Sequence, residues 1–258
     1  MRMKRRLPIL LSLFLVVALA VWQKPFYRVP ILNYHSVNVP RFNYDTPKIL
    51  PGVFVQQMDF IHRMGYQVIS LDDYIKMRKA GKRVWSSVVI TFDDGYEDNY
   101  THAFPVLKKY HFPATIFLIA KELDRDRFLK KIQIREMVKE GISFGSHTLS
   151  HAYLPEVSDE AKLRAEIFGS KKILETEVGQ NVDYFSYPIG GYNDRVKELV
   201  RGAGYKAATT TNRGIARLNE DLYALKRIKI TQRDIPGFVL WLKLSGYYLL
   251  FQGNREAY

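Results

Sequence analysis

Short runs of consecutive apolar residues alternate along this chain with longer stretches in which apolar residues recur every three or four positions. The strand-like runs are 30–34, 88–92, 114–119, 142–145, 183–187 and 205–209. The helical stretches are 54–64, 71–79, 99–110, 132–140, 159–178 and 194–203, several of them stopped by Gly65, Gly81, Gly141, Gly179 or Gly204. Unbroken apolar runs fit strands covered on both faces, and alternation of strand with helix builds a parallel sheet. At least six such units fit an incomplete or distorted (β/α) barrel better than a small open sheet; a doubly wound open sheet is the second reading. In a barrel the chemistry sits beyond the C-terminal ends of the strands. Tyr34-His35, Asp93-Asp94, Ser146-His147 and Tyr187-Pro188 each follow a strand-like run, so four loops can converge on one mouth.

Two of these loops carry unusual chemistry. Val88-Val89-Ile90-Thr91-Phe92 delivers Asp93 and Asp94 side by side. Neighbouring carboxylates at the end of an apolar strand raise each other's cost of ionisation, so a metal or a cationic network is expected there. Ser146-His147-Thr148-Leu149-Ser150-His151 adds two imidazoles four residues apart. Two histidines and one carboxylate are the ligand pattern of a catalytic zinc with an open position. The chain has no cysteine, which excludes thiolate-rich structural zinc sites and any disulfide framework. The plainer alternatives are a calcium or capping role for the aspartates and a simple turn pair for the histidines. His62, His102 and His111 fall in helical or helix-end segments and are not expected to be ligands.

Charge and the chain ends change the picture next. Arg2, Lys4, Arg5 and Arg6 precede the uncharged apolar stretch 7–22, which reads as an export signal. Ala18-Leu19-Ala20 offers a cleavage site, and cleavage and retention as a membrane anchor both stay open. The basic head places the rest of the chain on the outer face of the membrane. The formal net charge is +13, and removing the first 20 residues takes four basic and no acidic side chains, leaving +9. A basic body suits an anionic envelope or membrane surface; nucleic acid is discounted because the basic residues are dispersed and the chain is exported. The stretch 236–251 is apolar and aromatic, and reads as packing on the barrel or as membrane-interface contact. The expected organisation is a signal or anchor over 1–24, a catalytic domain over 25–235 and an apolar extension over 236–258.

Thr91-Phe92-Asp93-Asp94-Gly95 and His147-Thr148-Leu149-Ser150-His151, in this order and at strand ends, resemble the NodB-like polysaccharide deacetylases of carbohydrate esterase family 4. The resemblance spans roughly residues 30–235. It implies a deformed (β/α) barrel of the NodB-homology type and metal-dependent removal of N-acetyl or O-acetyl groups from a glycan. Carried over by residue, it implies that Asp94, His147 and His151 hold the metal and that Asp93 acts as general base. It implies that the backbone N–H of Ile189, after Pro188, donates to the developing oxyanion.

The chain departs from the commoner family pattern in two places. Ser186 stands where an arginine two residues before the proline would orient the base. Arg227 could swing toward Asp93, but reads first as a surface or ion-paired arginine and is left outside the site. No late histidine occurs in 225–230; His35 instead looks like the early histidine motif of the branch acting on poly-β-1,6-N-acetylglucosamine, and would be the general acid. Tyr66, Tyr153 and Tyr192 read equally as groove lining or packing.

The expectation is therefore an exported, metal-dependent deacetylase of an N-acetylated glycan, poly-β-1,6-N-acetylglucosamine or a related envelope polymer. Peptidoglycan or chitin-oligosaccharide N-deacetylation and xylan O-deacetylation are the enzymatic rivals, and a glycan-binding module without turnover is the rival of another class. Zinc is the first choice of metal, with cobalt, nickel or iron also suited to the ligand set. The partners implied are the polysaccharide, a membrane surface and a polysaccharide synthase or export machinery.

Overall fold

The apolar runs become strands of a closed parallel barrel because each is covered on both faces. A computed structural model describes residues 27–38, 48–82, 85–214 and 221–245; the apolar N-terminal segment and residues 246–258 lie outside them. The strands are β1 Ile31–Tyr34, β2 Ser36–Val37, β3 Lys48–Ile49, β4 Gln67–Val68, β5 Ser87–Phe92, β6 Thr115–Leu118, β7 Ser143–Ser146, β8 Tyr184–Ser186, β9 Ala207–Arg213 and β10 Leu225–Lys229. Their order is β1-β10-β9-β8-β7-β6-β5, and β5 pairs back onto β1 from Ile31 opposite Val89 to Tyr34 opposite Phe92. The result is a seven-stranded parallel barrel, with β4 added at the start of β5 and β2–β3 forming a separate small sheet. The barrel is closed rather than open because β10, a strand the apolar pattern did not announce, fills the gap between β1 and β9.

Alternation along the strands separates two environments. Leu32, Tyr34, Val88, Ile90, Phe92, Ile116, Leu118, Phe144, Phe185, Ala208 and Ile228 pack in one large apolar cluster with the surrounding helices. Ile31, Val89, Phe117, Tyr184, Ala207 and Leu225 form a second cluster that fills the barrel and meets Leu71, Tyr74 and Ile75 of the helix Leu71–Lys79. Gly145 on β7 makes room for this plug, since a Cβ there would stand 2.5 Å from the Phe117 ring and 2.9 Å from the Tyr184 carbonyl. Further along the same inward-facing rows the side chains turn polar: Asn33, Thr91, Asp93, Ser186, Thr209 and Arg227 are all buried. The apolar floor and polar upper layer define a mouth at the C-terminal ends of the strands.

The helices follow their expected spans, with local signals at their ends. Ser70 caps Leu71–Lys79 by accepting from the Asp73 amide, and Asn193 caps Asp194–Gly202 by accepting from the Val196 amide. Two stretches expected as uninterrupted helices contain a wider π turn: Asn99–Ala103 ahead of Phe104–Tyr110, and Ala165–Gly169 between Glu160–Arg164 and Ser170–Val178. Each turn brings a polar side chain inward, Asn99 and Glu166. π turns concentrate at functional sites, and both residues touch the loops at the barrel mouth. The helix Phe238–Leu244 packs through Leu240 and Leu244, and Lys243 pairs with Asp234 at 2.8 Å, while Phe238, Val239 and Trp241 face outward. No described helix is long and apolar enough to cross a membrane.

Candidate active site

Asp93 and Asp94 leave β5 in a tight turn. Asp94 takes the left-handed conformation at φ 73°, which a short polar side chain tolerates better than most, and Gly95 follows at φ 72°. The turn points Asp93 into the barrel and Asp94 toward the end of β7. There His147 and His151 approach Asp94 Oδ1 with their Nε2 atoms at 3.5 and 3.6 Å, and ligand atoms of the three residues all lie within 4.8 Å of one another. Among the described residues no other such group of three occurs. His62 lies elsewhere, its ring tilted against Tyr110.

A hydrogen bond of His147 fixes its tautomer. Its Nδ1 lies 2.8 Å from the Ser186 carbonyl, which can only accept, so Nδ1 carries the proton. In the neutral ring Nε2 then presents a lone pair to a carboxylate oxygen. Burial pushes the His147 pKa below its usual value, so the neutral ring is favoured; burial likewise lowers His151. Burial, reinforced by Asp93, raises Asp94 above the usual carboxylate range. The lone pair of His147 Nε2, the neighbouring Nε2 of His151 and a carboxylate oxygen converge as a divalent cation would need, and a backbone carbonyl on the protonated Nδ1 is the usual outer partner of a metal-binding histidine.

Asp93 is set apart electrostatically. Burial alone would raise it, but the Arg227 charge and its hydrogen bonds, with His147 and His35, hold the carboxyl well below the usual range. Arg227 Nη1 donates to Oδ1 at 2.8 Å and Nη2 to Oδ2 at 2.6 Å. The guanidinium comes from β10 and enters beside Ser186, whose Oγ accepts from Nη2 at 2.9 Å. A small side chain at 186 thus leaves the space that an arginine from two strands away occupies. The sequence reading set Arg227 aside as a surface or ion-paired residue; the structure makes it the partner of Asp93.

His35 follows β1 with Nε2 3.9 Å from Asp93 Oδ2. Burial pushes its pKa down to about 4, against the opposing pull of Asp93. Its loop is held from the first π turn: Asn99 Nδ2 donates to the His35 carbonyl, and Asp98 accepts from the Ser36 hydroxyl and the Val37 amide. Ile189 sits in the turn after β8 at φ 57°, its side chain 61% exposed. Thr211 Oγ1 donates to the Ile189 carbonyl and Thr210 Oγ1 to that of Gly190, so β9 clamps the turn. Of the tyrosines considered for a sugar groove, Tyr192 stacks on Tyr187, Tyr153 lies against Gly191, and Tyr66 packs on the apolar core. Asp93, Asp94, His35, His147, His151 and the Ile189 turn therefore all belong to strand-end loops at one end of the barrel. Sequence reasoning missed Glu166, Asp98, Asn99 and the Thr210–Thr211 pair.

The comparisons with known proteins point to one family. A model of the family described as polysaccharide deacetylase matches residues 80–208. YxkH of Bacillus subtilis, whose name carries the words polysaccharide deacetylase, is 35% identical over 205 residues, 79% of this chain and 72% of its own length. The poly-β-1,6-N-acetyl-D-glucosamine N-deacetylase of Staphylococcus epidermidis is 30% identical over 225 residues, 78% of each chain. Among solved structures, the Streptococcus pyogenes deacetylase PplD in complex with acetate superposes with a TM-score of 0.78 at 31% identity, over 84% of this chain and 98% of that one. IcaB from Ammonifex degensii superposes with a TM-score of 0.74 at 25% identity, over 85% and 97%.

Proposed function

The chain belongs to the polysaccharide deacetylase family, and from that premise we propose that it hydrolyses N-acetyl groups on an extracellular glycan, poly-β-1,6-N-acetylglucosamine or a related envelope polymer. The observation that carries the reading is the contrast between adjacent carboxylates: Asp93 paired with Arg227, and Asp94 facing the Nε2 atoms of His147 and His151 with no cationic side chain among the described residues paired to it. One is an oriented base and the other an oxygen ligand. Asp94, His147 and His151 would hold a divalent ion, zinc first, with cobalt, nickel or iron also compatible. When bound, such an ion supplies Lewis-acid polarisation of the acetyl carbonyl and lowers the pKa of water.

The chain's own residues divide the remaining work. Asp93, fixed by Arg227, takes a proton from the attacking water as the carbon–oxygen bond forms. The Ile189 amide donates to the oxyanion that develops on the carbonyl. His35 gives a proton to the leaving nitrogen as the carbon–nitrogen bond breaks, so acetate and a free amine result. Since burial keeps His35 neutral at pH 7 in the free protein, its proton arrives during turnover, and Asp93 at 3.9 Å is the acid within reach.

The substrate choice draws support from the S. epidermidis relative's name and from His35 standing just after the first strand in place of a late histidine. The basic head and apolar stretch at the N-terminus support export and an outer-face location, where a membrane surface and a synthase or export machinery would be neighbours. The test is acetate release by zinc-loaded protein from poly-β-1,6-N-acetylglucosamine, peptidoglycan fragments and acetylated xylan, with Asp93→Asn and His35→Ala beside wild type. Release from the first polymer that collapses in both variants is expected. Release from another substrate alone would overturn the substrate, and binding of glycan with no release from any would overturn the activity.

A further inference from the structure

The loop that carries both histidines is held in an unfavourable shape. Thr148 and His151 are non-glycine residues at φ 69° and 61°, a conformation that persists only when surrounding contacts over-determine it. Its backbone shows how. The His147 amide donates to the Leu118 carbonyl, the Thr148 amide to Ser146 Oγ and the His151 amide to Thr148 Oγ1. The two amides between them, Leu149 and Ser150, both donate to Glu166 Oε2 at 3.0 and 2.9 Å, and the Ser150 hydroxyl donates to Oε1. On the other side the Thr148 and Leu149 carbonyls accept from the Ala120 and Lys121 amides.

Glu166 lies in the π turn Ala165–Gly169 and is 2% exposed. Its buried neighbours Leu163, Ile167 and Leu174 pack on the barrel, so the wider turn sets a carboxylate among apolar residues where it can reach the loop. A lone carboxylate at such a position is costly unless its oxygens are well satisfied. Three donors from one five-residue loop satisfy it. The first π turn does the same for His35 through Asn99. The two histidines differ in what else fixes them: His147 is anchored by β7 and by the Ser186 carbonyl, whereas the half-exposed His151 depends on the loop for its position.

We propose that Glu166 is a positioning residue for the Asp94–His147–His151 group, imposing on residues 147–151 the conformation that brings His151 Nε2 opposite Asp94. The proposal rests on the metal reading above. Removing the carboxylate leaves two amides and a hydroxyl without their acceptor and frees the two left-handed residues to relax, which withdraws His151 from the ligand set. Charge and geometry can be separated. Glutamine at 166 keeps one oxygen for both amides, and its NH2 meets a hydroxyl that can turn to accept. Aspartate keeps the charge but is one methylene too short to reach all three donors.

The experiment is zinc affinity of the metal-stripped full chain, measured by competition with a chromogenic chelator, for wild type, Glu166→Ala, Glu166→Gln and Glu166→Asp. Thermal unfolding and hydrogen exchange of the metal-free proteins accompany it. We expect zinc binding to weaken by about 10- to 100-fold in Glu166→Ala and Glu166→Asp and by no more than about threefold in Glu166→Gln, with faster exchange at Leu149 and Ser150 in the first two. A folded Glu166→Ala protein that binds zinc like wild type overturns the proposal. Should Glu166→Ala not fold, Glu166→Asp against Glu166→Gln decides, and equal affinities in both overturn it. A wild type that binds neither zinc nor cobalt refutes the metal reading itself, an outcome distinct from variants that match a wild type that binds.

Discussion

Arg227 and Asp93 are joined by two parallel hydrogen bonds across the inside of the barrel, and both side chains are 1% exposed. All five guanidinium N–H groups find acceptors: Nε donates to the Thr210 carbonyl, Nη1 to Thr91 Oγ1 and Asp93 Oδ1, and Nη2 to Asp93 Oδ2 and Ser186 Oγ. Complete satisfaction is what makes a buried ion pair tolerable. The neighbours of this arginine extend the connection. The Ser186 carbonyl holds the His147 ring, and Thr210 Oγ1 donates to the Gly190 carbonyl, so Asp93, His147 and the Ile189 turn share one hydrogen-bonded frame.

Breaking that pair strands a buried carboxylate. Arg227→Ala is expected to destabilise the protein by about 3–5 kcal/mol, read from denaturant midpoints at constant slope. Arg227→Lys keeps a charge without the planar fork and is expected to retain more stability but to lose acetate release by roughly 10- to 100-fold in kcat. Wild-type stability and turnover in both variants would remove Arg227 from the site.

Much of this was legible in the chain because burial on both faces leaves a plain signature. The apolar runs 30–34, 88–92, 114–119, 142–145 and 183–187 each match a barrel strand to within a residue at either end, and the acid pair and histidine pair stand where a barrel puts chemistry. β10 escaped because Leu225-Lys226-Arg227-Ile228-Lys229 interleaves charge with two apolar residues, and its inward position is taken by an arginine. The signal was there in period two: Leu225 and Arg227 share a face, so an apolar assignment for one implied burial of the other. Glu166 hid similarly, three residues after Leu163 on the apolar side of a helix, where a carboxylate breaks the pattern and the break itself was informative. Partnership across 134 residues, as between Asp93 and Arg227, is set by barrel closure and has no local mark.

The metal-free protein should lose stability on mild acidification. His35 is lowered to about 4 in the folded state, so between about 4 and its ordinary 6.5 the unfolded chain binds the extra proton. Stability from this group is full above 6.5 and falls as pH drops through that window, by up to roughly 3 kcal/mol. His147 and His151, also lowered by burial, act in the same direction; Asp94, raised by burial, opposes them near the carboxylate range. Asp93, held low, contributes only to losses below about 3.8. Melting temperatures of wild type and His35→Gln between pH 7 and pH 4.5 should converge as pH falls; parallel curves would contradict the assignment.

Metal should stabilise what acid destabilises. Zinc at 100 times its dissociation constant is expected to add about 2.7 kcal/mol to folding, visible as a raised melting temperature of chelator-stripped wild type. Asp94→Ala or His147→Ala should abolish that rise together with acetate release, while Asp93→Asn should keep the rise and lose turnover by roughly 10²- to 10⁴-fold. A zinc-dependent rise that survives in His147→Ala would place the ion elsewhere.

The turn that presents the Ile189 amide can be tested without touching the ligand group. Gly190 takes φ 79°, and a Cβ there would stand 2.1 Å from Thr211 Oγ1 and 2.7 Å from its amide nitrogen. Gly190→Ala therefore meets both a disfavoured backbone and a collision with the strand that clamps the turn. The turn must move outward, carrying the Ile189 amide away from the carbonyl it would serve, and a displacement of about 1 Å can cost on the order of 100-fold. Because Asp94, His147 and His151 belong to other loops, zinc affinity should stay at the wild-type value while kcat falls. Thr211→Val, which removes the hydroxyl donor to the Ile189 carbonyl but leaves Gly190 unhindered, should give a smaller loss in the same parameter. A Gly190→Ala protein with normal kcat would mean that the oxyanion is held by something other than this turn.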